Sequence, residues 1–244
     1  MKSSLLAFVL FSFFLLCCSH SGALAITHPD YYYAVVLTWP ASYCYQSSEG
    51  CCLPATGKPK LDFFVDSLLT YNASTGGVLT TCHGHGFSTK EISGLIEDLH
   101  KYWSDVRCPS REPSYNWRRV WNKYGVCSGL TQHNYFKKAL ALRNEADLLS
   151  VFRKNGIVPS GENLYKLKHI KRVLKESLGV SVGAECSKNM WGESQLYRVY
   201  LCLNQDASTI ISCPVDRAFN CDDEVTFGLF TADMLTAGIR IKNH

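Results

Sequence analysis

The chain has 244 residues, with 25 Lys and Arg against 21 Asp and Glu, a formal charge of +4 and a pI near 8.4. So mild an excess permits contact with phosphates but falls short of the dense basic footprint of a dedicated nucleic-acid binder. No internal repeat, low-complexity tract or Pro/Gly-rich linker divides the chain, and its length suits one domain with a sizeable core.

In chain order, Met1-Lys2 supply a positive charge, residues 5–18 are apolar apart from Ser12, and Ala23-Leu24-Ala25 is an Ala-x-Ala cleavage site. Residues 1–25 therefore read as a signal peptide, which routes the protein into the secretory pathway, to the vacuole or outside the cell. The segment is too short for a convincing anchor, and no later run is apolar enough to span a bilayer, so no membrane partner is expected. Of the 12 cysteines, Cys17 and Cys18 leave with the leader. Cys44, Cys51, Cys52, Cys82, Cys108, Cys127, Cys186, Cys202, Cys213 and Cys221 remain. An even number in an exported chain argues for a disulfide framework rather than a metal site, with the pairing left open.

Residues 31–39 are aromatic and β-branched and read as a buried strand ended by Pro40. The Gly57-Lys58-Pro59 turn leads into a second strand candidate, 61–69. Asn72-Ala73-Ser74 is a glycosylation sequon. Ser88-Thr89-Lys90-Glu91 has the capping-box pattern, followed by Ile92, Leu95, Ile96, Leu99 and Trp103 at helical spacing. Further helices are expected at 117–123, 131–143, 146–154 and 163–178, with Gly156 and Gly179 as stops. Strands follow at 180–186, 195–203 and 209–213, the last two facing each other across a turn. Strands, a helical middle and a C-terminal sheet make an α+β order, an antiparallel sheet packed against several helices.

The most informative stretch is Trp117-Arg118-Arg119-Val120-Trp121-Asn122-Lys123-Tyr124-Gly125-Val126-Cys127. It resembles the catalytic helix of the ribonuclease T-two family, the secreted S-like and S-type plant ribonucleases, where the segment runs Trp-x-His-Glu-x-x-Lys-His-Gly-Thr-Cys. Arg119, Val120 and Tyr124 stand where that pattern has His, Glu and His, and Lys123 is retained. The family's other block, Phe-x-Ile-His-Gly-Leu-Trp-Pro, is matched by residues 63–70, which puts Asp66 at its histidine and Leu69-Thr70 at its Trp-Pro. Thr38 precedes Trp39-Pro40 where the family commonly has Gln. The resemblance covers nearly all of residues 33–230. It implies a disulfide-stapled T-two-like domain over 26–230 and the pairing Cys44 with Cys51, Cys52 with Cys108, Cys82 with Cys127, Cys186 with Cys221, and Cys202 with Cys213.

Cleavage by attack of the RNA 2′-hydroxyl needs a base for that proton, an acid for the leaving 5′-oxygen, and cations for the phosphorane. A histidine pair suits the first two roles. On a helix, positions 119 and 123, and likewise 120 and 124, share a face and project together into a cleft. Arg119 keeps its proton at any working pH, and an ordinary phenol such as Tyr124 is a poor general acid near neutrality. Val120 has nothing to ionise, and Asp66 is expected to ion-pair with Arg119, which weakens it as a base.

The expectation is therefore an inactive homologue, not an enzyme, of the kind known as ribonuclease-related vegetative storage proteins. The alternatives are a secreted or vacuolar endoribonuclease with altered acid–base residues, or a protein that binds RNA, nucleotides or defence targets in the old cleft. RNA binding is expected to be weak or absent, with no cofactor, no metal and a monomeric chain. His83 and His85 read as a polar loop beside a disulfide; His28, His100, His133 and His169 read as surface histidines. Lys166, Lys168, Lys171, Arg172 and Lys175 read as the solvated face of a helix rather than a phosphate-binding stripe. Residues 231–244 are either a frayed terminus or a removable vacuolar sorting propeptide.

Overall fold

The computed structural model describes residues 30–46, 50–214 and 218–236; the expected leader, His28 and residues 237–244 lie outside them. The elements run β1 (Tyr31–Thr38), α1 (Pro40–Gln46), β2 (Cys51–Cys52), β3 (Phe64–Asn72), α2 (Ile96–Tyr102), α3 (Pro113–Lys123), α4 (Gln132–Ala146), α5 (Leu148–Lys154) and β4 (Leu164–Lys166). They continue through α6 (Leu167–Leu178), β5 (Gly183–Lys188), β6 (Ser194–Leu203), β7 (Ile210–Ile211), β8 (Ala218–Phe219), β9 (Glu224–Thr226) and β10 (Leu235–Thr236).

The main sheet runs β3-β1-β6-β5-β8, antiparallel except where β8 joins β5 and β9 touches β6. Alternation along β1 sorts the two faces: Tyr33, Val35 and Leu37 enter the large core under the helices, while Tyr32, Ala34 and Val36 join a smaller tyrosine-rich layer behind. This is the α+β arrangement that the element order implies. Trp39, Trp103, Trp117, Tyr135 and Phe136 are fully buried in the core. The Tyr135 hydroxyl of α4 donates to the Leu68 carbonyl at 2.9 Å and accepts the Leu68 N–H at 3.1 Å, tying the helices to β3. Arg143 is buried only because it is fully engaged: it pairs with Asp62, donates to the Phe63 carbonyl and lies over the Tyr102 ring.

Helix starts shift from those expected: α3 begins at Pro113 rather than 117 and α5 at Leu148 rather than 146, and two more move for visible reasons. Ser88 makes no capping bond; the side-chain amide of Gln132 takes both its N–H and its carbonyl, and Thr89–Leu95 winds as a 3-10 turn before α2. Residues 164–166 form β4 because β9 offers them backbone partners, so the helix starts at Leu167 instead of residue 163. The bridges are Cys44–Cys51, Cys52–Cys108, Cys82–Cys127, Cys186–Cys221 and Cys202–Cys213. Leu235 and Thr236, at the start of the tail, pair in parallel with Cys51 and Cys52, and Leu235 is buried.

Candidate active site

The site begins with a defect in the sheet. Val36 of β1 faces Ser67 of β3, yet the next residue, Leu37, faces Val65, so Asp66 is the extra residue of a β-bulge. A bulge bends the strand and re-aims one side chain. Here it lets Val65 and Leu68 stay in the core while the half-exposed Asp66 carboxylate turns into a cleft. The Trp103 indole donates to the Asp66 carbonyl at 3.3 Å, and the Ser67 hydroxyl donates to its carboxylate at 3.2 Å.

The cleft, about 100 Å³, lies between the ends of β1, β3 and β6 and the segment leading into α3; its polar lining includes Thr38, Tyr43, Asp66, Arg107, Asn116 and Arg198. Thr38, Arg198 and Glu185 sit in register on β1, β6 and β5, so one row crosses three strands. Arg198 reaches Asp66 at 3.6 Å and Glu185 at 3.4 Å, donates to Thr38 and packs over the Tyr197 ring at 4.4 Å. Burial alone pulls the Arg198 pKa down, but the fields of Asp66, Tyr197 and Glu185 outweigh it, so the guanidinium is held charged more firmly than usual. Burial raises the Tyr197 phenol, and burial together with the hydrogen bond to Glu185 raises Tyr200.

Glu112 caps α3 by accepting the Ser114 N–H, with Pro113 in the first turn. Trp117, Val120 and Trp121 face the core, while Arg118, Arg119, Asn122 and Lys123 are exposed, a helical period of burial. The Trp121 ring lies so close to Gly125 that a Cβ there would come within 2.2 Å of it, which explains a glycine at the helix end. Asn116 Oδ1 accepts from both Arg119, at 2.8 Å, and Arg107, at 3.3 Å, so two guanidiniums converge at the cleft wall; Arg107 also grips Asp105.

Several expectations need correction against this geometry. The partner of Asp66 is Arg198 rather than Arg119, which turns to Asn116 instead. Val120 does not project into the cleft with Tyr124 but packs in the core, while 119 and 123 do share an exposed face. Lys123 lies 5.0 Å from the Tyr124 ring centroid. Leu69 belongs to the layer behind the sheet, and Thr70 is buried with no partner for its hydroxyl. His83 and His85 sit in an exposed loop whose His85 carbonyl accepts the Trp121 indole, and among the described residues no cluster of metal-ligating side chains forms. His100 stacks on Trp117, while His133 and His169 are half-buried. Lys168, Lys171 and Arg172 lie on the outer side of α6, whose Ile170, Val173 and Leu174 are buried. Arg198, Glu185 and Tyr197 were not among the residues expected at the site.

A bulged strand thus turns one carboxylate into a cleft lined by two guanidiniums, within a disulfide-stapled α+β domain. The chain belongs to the Ribonuclease T2 family, which matches residues 30–213. It is 39% identical over 204 residues to "Ribonuclease 3" of Arabidopsis thaliana, covering 82% of this chain and 90% of the relative. It is 38% identical to "Extracellular ribonuclease LE" of Solanum lycopersicum, covering 82% and 87%, and 30% identical to a "Ribonuclease-like storage protein" of Panax ginseng, covering 82% of each. The solved structure of RNase NT in complex with 5′-AMP matches with a TM-score of 0.77 at 34% identity, over 83% of this chain and all of the other.

These findings overturn the expectation that the chain is not an enzyme. The relatives that span most of it at 34–39% identity bear the names of ribonucleases, above the 30% of the storage protein. The physical reason that expectation failed is its narrow ledger of proton carriers. Charge stabilisation of the transition state is usually the largest single contribution to such catalysis, and this cleft places Arg107 and Arg198 in its lining with Asp66. Among the described residues no helix is long and apolar enough to cross a membrane.

Proposed function

We propose that this chain is an endoribonuclease of the secretory pathway that cleaves RNA with an altered acid–base set. The observation that carries the reading is the bulge that aims Asp66 into a cleft beside Arg198 and Arg107. In the proposed reaction the Asp66 carboxylate takes the 2′-hydroxyl proton as that oxygen bonds to phosphorus. Arg198 and Arg107 hold the charge of the phosphorane, with Arg119 and Lys123 on the adjoining helix face. The bond from phosphorus to the 5′-oxygen then breaks, and the leaving oxygen takes a proton from solvent while the Tyr197 phenol, kept protonated by burial, donates it a hydrogen bond. A positioned acid contributes on the order of 10²–10⁴ in rate, so this set turns over more slowly than a two-imidazole site by about that factor.

RNA is held weakly, by a monomer that uses no cofactor, and Asn72 carries the glycan, its turn at the end of β3 being held by Ser74 and Thr75 N–H bonds to Oδ1. A second reading, a nitrogen reserve in a plant tissue, is supported by the likeness to the ginseng storage protein and by five protease-resisting bridges; it is compatible with cleavage and is checked by abundance through the season. The test of the first reading is end-group analysis of RNA incubated with purified protein. Fragments ending in 2′,3′-cyclic phosphate are expected, and intact RNA after prolonged incubation would defeat it.

A further inference from the structure

Four of the five tryptophans, Trp39, Trp103, Trp117 and Trp121, are buried; Trp191 is 67% exposed, more than any other large apolar side chain among the described residues. It stands with Met190, 56% exposed, at the tip of the hairpin joining β5 to β6. The tip is stiff. Asn189 Oδ1 accepts the N–H groups of Trp191 and Glu193, its amide donates to the Glu193 carboxylate, its N–H donates to the Glu193 carbonyl, and Gly192 makes the turn with φ of +83°. Ordering costs at a contact are smallest for an aromatic already fixed in place.

The tip is also fastened to the wall of the cleft. The Met190 N–H donates to the Tyr45 carbonyl at 2.9 Å, and the Tyr45 ring lies 6.2 Å from that of Trp191. Tyr45 is itself seated against Gly228, where any Cβ would come within 2.6 Å of the ring. Both Tyr45 and the cleft-lining Tyr43 belong to α1. From Ser194, just past the tip, to Arg198 is about 13 Å of strand at ~3.3 Å per residue, so Trp191 lies within reach of a few nucleotides beyond the scissile phosphate.

We propose that Trp191, backed by Met190 and Tyr45, is a stacking platform for an unpaired base of single-stranded RNA threaded out of the cleft. The platform rests on the RNA-cleaving reading above. It is continuous with the cleft along α1 and β6, and a fixed, solvent-facing indole offers a nucleobase a face that is indifferent to sequence. The platform therefore adds affinity for length rather than for base identity, and it leaves a dinucleotide, too short to span from the cleft to Trp191, untouched.

The experiment compares binding of the 2′-O-methyl forms of uridylyl-uridine and octauridylate, which lack the attacking hydroxyl and are not cut, to the full mature chain, to Trp191→Ala and to Trp191→Phe, by equilibrium dialysis at fixed salt, with sedimentation of each protein. For Trp191→Ala we expect octauridylate affinity to fall roughly 5- to 100-fold, dinucleotide affinity to stay within twofold, and Trp191→Phe to restore most of the loss. If the parent binds both ligands and Trp191→Ala keeps its preference for the octamer, the platform is refuted while the RNA reading stands. If the parent binds neither, both fall. A concentration-dependent dimer abolished by Trp191→Ala, with octamer binding unchanged, assigns the patch to a second copy of the chain and overturns the proposal.

Discussion

Replacing Arg198 with Met tests the cluster at the centre of the cleft. The guanidinium contacts Glu185 at 3.4 Å and Asp66 at 3.6 Å, and the three side chains are 25%, 19% and 35% exposed. Breaking a fully buried pair costs about 3–5 kcal/mol because a charge is stranded, whereas an exposed pair contributes roughly 0.2–1 kcal/mol. Long contacts and partial exposure, with solvent screening greatest at Asp66, place Arg198→Met between these limits, at about 2 kcal/mol. Most of that is the stranded Glu185, left with Tyr200 as its remaining hydrogen-bond partner of the cluster. Adding Glu185→Gln should therefore recover at least half. Arg119→Met removes an exposed side chain whose bond goes to Asn116 and should stay within about 0.5 kcal/mol. Urea unfolding with all bridges intact measures the three variants, provided the m-value is constant. A larger loss for Arg119→Met than for Arg198→Met, or a double variant no more stable than Arg198→Met alone, would rule out the stranded charge as the cause.

Thr70 is buried with an unbonded hydroxyl, so Thr70→Val should be neutral or stabilise by up to about 1 kcal/mol, since it removes an unsatisfied group; a loss above that in urea unfolding would contradict it. Bridges should rank by loop length. Removing Cys52–Cys108, separation 56, is expected to cost about 4 kcal/mol against about 2.5 kcal/mol for Cys44–Cys51, separation 7, and thermal unfolding that reverses this order would count against it. Burial raises the phenol pKa of Tyr33, Tyr135, Tyr197 and Tyr200. The folded chain then holds protons that the unfolded chain releases near pH ~10, and stability falls as pH rises past that value. Phenolate absorbance should stay partial at about pH 11 and rise on unfolding; complete ionisation of the folded chain would speak against it.

The strand at β1 and the amphipathic α3 could be read in advance because their determinants are local: an unbroken aromatic and β-branched run in one, the burial rhythm of Trp117, Val120 and Trp121 in the other. Asp66 and Lys123 were found through motif likeness. Arg198 escaped because its role depends on register. An arginine in the run 194–203 says nothing of facing Thr38 and Glu185, which are set opposite it by chain segments 160 and 13 residues away. The bulge at Asp66 carries no glycine or proline to announce it, so its side chain could not be aimed from spacing. Ser88 shows the reverse error, a correct local pattern overridden when Gln132, 44 residues on, took the backbone groups that the cap would have used.

The most direct test of the central claim is the turnover of polyuridylate by a contaminant-free preparation of the mature chain, with Asp66→Asn purified in parallel. Measurable depolymerisation by the parent is expected, with a fall of tenfold or more in the variant, since the amide cannot take the 2′-hydroxyl proton. Equal rates in the two proteins, or none in the parent, would contradict it.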